Sequence, residues 1–409
     1  MLRHRVVPIR SHWASRLTVL VAVLSAASCT TSVAPWQGKD LRPDSEERRL
    51  WSFAEETEQT LERRGRLYDD EPELLAYLNE VKDRVVRPFA LDPQTVRVRV
   101  LRDPFLNAAA FPNGSVYVHM GTLSRLENEA QLALVLAHEV THFAHRHALL
   151  EMRNRDRTTA VAVAATALTG LPLLIEMTLD MVGHSLYLAQ LQGYSRQLER
   201  EADQWALRSI LAAGYEPRTA LHVFRHFLEE ERELGDEAGI RQPYWYASHP
   251  ALEERIRNGE ELLASESIPA TAARVERERY MRTTARVRLE AAKMDLALKR
   301  YQNARRAIDR QLAASPAEAR GYVALGDWYR IARPGENWAE DAKQAYRQAL
   351  QRDPSSTEAQ RELGLLCREL ADHPCARLHL QRYLELAGGA KDRAIIEGFL
   401  GEMQGKSGS

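Results

Sequence analysis

The stretch that most restricts what this chain can fold into is LALVLAHEVTHFAHRHA, residues 132–148. Its apolar run supplies a face that buries a helix and holds the histidines rigidly. On such a helix His138 and His142 stand at i and i+4, with their rings stacked on one side. Two imidazoles so placed can bind one zinc ion, and Glu139 can address a water at that ion as general base. A catalytic zinc needs a third protein ligand and one open position. In one zincin class that ligand is a histidine six residues after the second; Ala148 stands there and excludes the class. His145 and His147 are expected to be solvated or capping residues near the helix end.

A better third ligand lies in YSRQLEREADQWAL, residues 194–207. On a helix Glu199 and Asp203 share a face, so one carboxylate can bind the metal while the other orients a ligand histidine through its second ring nitrogen. Taken alone, this acidic segment reads as a charged solvent face. Beside HEVTH the metal reading is preferred.

The 409 residues suit two or three domains, and 44% hydrophobic with 28% charged residues describes a globular chain with a core. A net charge of −1 gives no basic excess, so no nucleic-acid partner is expected. Residues 1–28 read as a signal peptide: MLRHRVVPIRSHWASR is basic, and LTVLVAVLSAAS is apolar but too short to span a membrane comfortably. The small residues before Cys29 resemble a bacterial lipobox, although Ala26 stands where leucine is commonest; simple secretion is the alternative. Lipidation of Cys29 would make the chain a periplasmic lipoprotein. Thr30 and Thr31 lack the aspartate of an inner-membrane retention signal, which favours the outer membrane. Cys367 and Cys375 then remain, either as a disulfide or as two half-buried apolar residues.

LAHEVTH, the following Arg146 and His147, and SRQLEREAD together resemble the zinc metalloprotease family that includes the HtpX and BepA membrane-associated proteases and the CAAX prenyl proteases. The resemblance covers about residues 50 to 262 and includes residues 107–133, AAGYEP at 212–217 and SHPALEERI at 248–256. It implies one Zn2+ per chain, Glu199 as third ligand and Asp203 behind the ligands. It also implies that His249 can plug the zinc and keep the enzyme latent; the other reading is a loop histidine packed nearby. Arg255 is a candidate to pair with an active-site carboxylate or a substrate carbonyl. SVYVH, residues 115–119, follows a turn at Pro112, Asn113 and Gly114 and is expected as an edge strand that holds extended substrate, with His119 structural. The apolar residues 158–191 are interrupted by Gly170 and Pro172, and are expected as two helices that pack in the core, cover the site or rest on a membrane.

From about residue 280 the chain repeats. Ala304, Ala342 and Ala376 recur at spacings of 38 and 34, with Pro316 and Pro354 closing two units and Gly326 and Gly364 at matching places. This resembles the tetratricopeptide repeat, with a plain helical bundle as the alternative. The expected fold is α+β and mostly helical: a zincin-type metalloprotease domain with a small β-sheet, followed by an all-α tetratricopeptide-repeat solenoid. The expected organisation is a linker at 29–45, the protease domain at 46–265, a linker at 266–280, repeats at 281–402 and a flexible tail at 403–409. The expected function is zinc-dependent endopeptidase action on misfolded or stalled proteins in outer-membrane quality control, with the repeats recruiting clients or the β-barrel assembly machinery. The alternative is a periplasmic chaperone or assembly scaffold with a latent metal site.

Overall fold

The computed structural model describes residues 33–154, 194–237, 252–265 and 273–405; Cys29, His249 and the apolar segment 158–191 lie outside them. In chain order the elements are α1 (Ser45–Arg63), α2 (Pro72–Val86), β1 (Arg97–Leu101), β2 (Ala108–Ala110), β3 (Ser115–His119), α3 (Met120–Arg125), α4 (Glu129–Ala144), α5 (Arg196–Ala212), α6 (Pro217–Glu237) and α7 (Leu252–Ser265). There follow α8 (Arg277–Thr283), α9 (Ala285–Ala297), α10 (Tyr301–Ala314), α11 (Ala319–Ala332), α12 (Trp338–Arg352), α13 (Thr357–Glu369), α14 (His373–Leu386) and α15 (Arg393–Gly405). The chain is mostly helical with a small sheet, as its pattern implies.

The metal-type motif lies on α4, every residue of which is buried. Asn128 caps its first turn by accepting from the Gln131 amide, and the Val275 carbonyl takes the amides of Glu129 and Ala130. At the other end Arg146 adopts φ +59°, and helical backbone resumes over residues 147–154. That reversal carries His147 back against the helix it follows.

The sheet has the order β1-β3-β2, with β1 parallel and β2 antiparallel to β3. SVYVH, expected at the edge, is therefore the central strand, and all five of its residues are buried. The turn before it explains the difference. Gly114, at φ +85°, closes a tight hairpin in which the Phe111 amide donates to the Ser115 carbonyl, and this lays β2 on the outer side. A Cβ at Gly114 would lie 2.0 Å from the Thr95 carbonyl oxygen, so the close approach of the chain to β1's entry requires glycine. β2 is thus the edge strand on this side, and it packs against α4.

The C-terminal helices pair as the hairpins α9/α10, α11/α12 and α13/α14. Ala304, Ala342 and Ala376 are fully buried at the helix contacts, Gly326 lies against the Tyr346 ring, and Gly364 against Leu380. Cys367 on α13 and Cys375 on α14 form a disulfide, with Cα atoms 5.7 Å apart. Tyr280 and Met281 of α8 and Val287 and Ala291 of α9 belong to the same buried cluster as the sheet and α4. No described helix is long and apolar enough to cross a membrane.

Candidate metal centre

On α4 the Nε2 atoms of His138 and His142 are 3.0 Å apart. Glu199 enters from the first turn of α5, a helix capped by Ser195 and packed along α4. Its Oε2 lies 3.4 Å from His138 Nε2 and its Oε1 3.6 Å from His142 Nε2. A tetrahedral ion with bonds near 2.0–2.1 Å separates its ligand atoms by about 3.3 Å. The three donors, all buried, therefore lie at separations close to those around one metal ion. Glu139 stands beside them, with its Oε2 held at 3.0 Å by the Ala110 amide of edge strand β2.

Each histidine is oriented from behind. His138 Nδ1 lies 3.0 Å from Asp203 Oδ1, and Arg255 grips the same carboxylate at 2.8 Å through Nε and 2.6 Å through Nη2. The guanidinium also sits 4.3 Å from the centre of the Phe224 ring. Burial disfavours the Asp203 charge, but Arg255 and His138 outweigh it and hold the carboxyl below its usual range. Burial and Arg255 pull His138 down, yet its bonds to Asp203 and Glu199 prevail and raise it to about 9. A metal must then displace a proton from His138 on binding.

His142 Nδ1 meets His147 Nδ1 at 2.8 Å, and the Tyr194 ring stacks on His142 at 4.0 Å. His147 is fully buried, and burial together with the neighbouring His145 pushes it down to about 3, so its ring is neutral. His145 is buried too, with its Nδ1 2.5 Å from Glu201. His145 is the C-cap of α4, one of the two roles expected of it, but neither ring is solvated, because the turn at Arg146 folds this segment inward. The structure brings together His138, Glu139, His142, Glu199, Asp203 and Arg255; His119 lies apart, 3.5 Å from Asp103. The parts not foreseen are His147, Tyr194 and the Ala110 amide. A signal for His147 was present in the run of histidines at 142, 145 and 147, but its direction depends on the turn.

A buried helix with two histidines one turn apart, a glutamate between them, a carboxylate from a second helix and an adjoining edge strand defines a metallopeptidase. The comparison with known families agrees: residues 72–262 match the model of peptidase family M48. The beta-barrel assembly-enhancing protease of Escherichia coli (strain K12) is 25% identical over 195 residues, 46% of this chain and 38% of that protein. A Vibrio cholerae protein named for the same activity is 28% identical over 200 residues, 47% of this chain and 40% of its own. The mitochondrial metalloendopeptidase OMA1 of Schizosaccharomyces pombe is 28% identical over 187 residues, 46% of this chain and 52% of its own. The chain thus spans between about two-fifths and half of the length of these relatives.

Proposed function

We propose that this chain is a zinc endopeptidase of the bacterial envelope, in which His138, His142 and Glu199 hold one zinc ion. The observation that carries the reading is the placing of Glu139 beside three converging donors by the Ala110 amide of an edge strand. Zinc bound there would supply a Lewis acid that polarises the scissile carbonyl and an attacking water. Glu139 takes the proton of that water and passes it to the leaving amine. Asp203 keeps His138 in the tautomer that offers Nε2, and Arg255 keeps Asp203 ionised and in place. An extended substrate adds to β2 through main-chain hydrogen bonds, which tolerates many side chains. His249, if it reaches the metal, holds the enzyme latent.

The Cys367–Cys375 disulfide supports an oxidising compartment. The family alone does not choose the compartment, since relatives named as mitochondrial share the catalytic segment. Lipid on Cys29 would tether the catalytic domain closely. The chain is pinned from Trp36, whose amide donates to the Ala144 carbonyl at the end of α4, and seven residues extend at most about 25 Å. We read α9 to α14 as three tetratricopeptide repeats, supported by their hairpins and by alanines at equivalent buried positions. The name of the Escherichia coli relative supports β-barrel proteins under assembly as clients, and we propose that the repeats recruit them or their outer-membrane assembly machinery.

The test is cleavage of an unfolded protein by the zinc-loaded chain, with Glu139→Gln and His249→Ala in parallel. Glu139→Gln should keep its zinc and lose about 10²–10⁴-fold in rate; His249→Ala should cut faster than wild type. Cleavage retained by Glu139→Gln would remove the proposed mechanism. Full cellular function retained by that variant would favour the repeats acting as a scaffold.

A further inference from the structure

Beyond the candidate metal centre, His145, His147 and Glu201 form a second set whose ligand atoms all lie within 4.8 Å of one another. His145 closes α4, Arg146 turns the chain at φ +59°, and His147 opens the next helical stretch, so two imidazoles two residues apart face one carboxylate. That carboxylate, Glu201 on α5, stands 2.5 Å from His145 Nδ1 and 3.8 Å from His147 Nε2. The His147 ring is wholly buried, and its Nε2 has no hydrogen-bond partner among the described residues. Glu201 is 39% exposed and gives the cluster an opening to solvent. Phe89 and Trp205 pack edge-on against His145, 6.1 and 5.0 Å between ring centres, and hold it in place.

We propose that His145, His147 and Glu201 form a second divalent-metal site whose occupation opposes metal at His138, His142 and Glu199. The two nitrogens and one carboxylate repeat the donor chemistry of the first set. Their separations spread more widely than the 3.0–3.6 Å of the first set, so the second site is the weaker.

The opposition follows from a shared hydrogen bond. His142 and His147 meet through their Nδ1 atoms at 2.8 Å, so one nitrogen carries a proton and the other accepts it. When His142 offers Nε2 to a metal, its proton sits on Nδ1, His147 Nδ1 accepts, and the His147 proton sits on Nε2. A metal on His147 Nε2 takes that lone pair and leaves the proton on Nδ1. Two N–H groups then face each other, and the bond that orients His142 is lost. By linkage, each metal weakens the other equally. The coupling rests on the proposed zinc site; the second site itself does not.

The experiment is a zinc titration of the metal-free full chain, with bound metal counted by equilibrium dialysis and cleavage of an unfolded protein followed alongside. Wild type should take up two equivalents, the second at least tenfold weaker, and cleavage should rise with the first and fall with the second. Glu201→Gln and His145→Gln should each take up one equivalent and show no fall. A retained first equivalent also reports that the variants are folded, and the exposed Glu201 is the safer substitution. One equivalent in wild type at saturation, or a second equivalent kept by Glu201→Gln, overturns the site. Inhibition by excess zinc that persists in Glu201→Gln overturns the coupling. A second equivalent that depends on Glu201 in a chain that never cuts supports the site while removing the protease reading of the first.

Discussion

Asp203 serves two buried partners with one carboxylate, and that double use sets what its loss should do. Replacement by alanine takes from the buried Arg255 guanidinium the carboxylate it grips most closely, and breaking a buried pair typically costs about 3–5 kcal/mol. It also frees the His138 ring, and removal of such an orienting partner typically weakens metal binding about 10–100-fold. Urea unfolding and zinc competition would check the two effects separately; an Asp203→Ala chain within 1 kcal/mol of wild type would mean that Arg255 finds another partner. At this scale the sequence was readable where the relation is local. His138 and His142 are one helical turn apart in any helix, and so are Glu199 and Asp203. That Glu199 and not Asp203 is the one set beside both Nε2 atoms depends on how α5 packs along α4, and this choice only the resemblance supplied. The burial of His145 and His147 was unreadable, because it follows from a left-handed backbone at an arginine, a residue type that does not announce one.

For single elements, the hairpin between β2 and β3 joins fold to chemistry, since β2 carries the amide that holds Glu139. Gly114→Ala would need both a left-handed backbone and room already filled by the Thr95 carbonyl. It should destabilise by more than about 1 kcal/mol and lower cleavage further than stability alone accounts for, as β2 shifts from Glu139. Wild-type cleavage by a folded Gly114→Ala chain would show that the hairpin does not position the base. The existence of this strand was legible in its β-branched residues and the turn before it, but its place in the sheet was not. Strand order is decided by which neighbours arrive on either side, and a five-residue buried run is compatible with centre or edge. In the helical region, Asp327 on α11 is partly buried, accepts from the Tyr346 hydroxyl of α12 at 2.7 Å and lies near Glu362 of α13. Burial and Glu362 push its carboxyl up to about 7, against the pull of Tyr346 and of Lys293 on α9. A carboxyl raised on folding favours the fold only while protonated. Its contribution is therefore full below the unfolded value of 3.8 and is lost as pH rises through 7. Asp327→Asn should accordingly raise the melting temperature by about a few degrees at pH 8 relative to its effect at pH 3.5. An equal effect at both pH values would show that the carboxyl titrates normally.

Across the whole molecule, the helical region completes the catalytic core instead of hanging from it. Val275 caps the first turn of α4 through its carbonyl, the Tyr280 hydroxyl donates to the Leu123 carbonyl at 2.6 Å, and Arg288, wholly buried, donates to the carbonyls of Ser124 and Leu126. Arg125 and Arg300 close on the buried Asp295 at 3.2 and 3.4 Å. A chain ending after residue 272 loses all of these together with the buried side chains of Tyr280, Met281, Val287 and Ala291. Truncating one large buried side chain costs about 2–5 kcal/mol, and a whole domain is stable by about 5–15 kcal/mol. Losing several at once, with the cap of the metal helix, should leave a protease segment that neither unfolds cooperatively nor binds zinc stoichiometrically. A chain ending after Ala332 keeps α8 to α11 and should retain one tight equivalent, because the core against which α4 is held is then intact. Dialysis on the two truncated chains separates the alternatives. If the shorter chain binds zinc as tightly as the full one, the helical region is an appended module and its contacts with α3 are incidental to the site. If only the longer chain binds, then α8 and α9 belong to the catalytic unit, and a client or partner that strains the repeats acts on the metal helix through Val275 and Arg288.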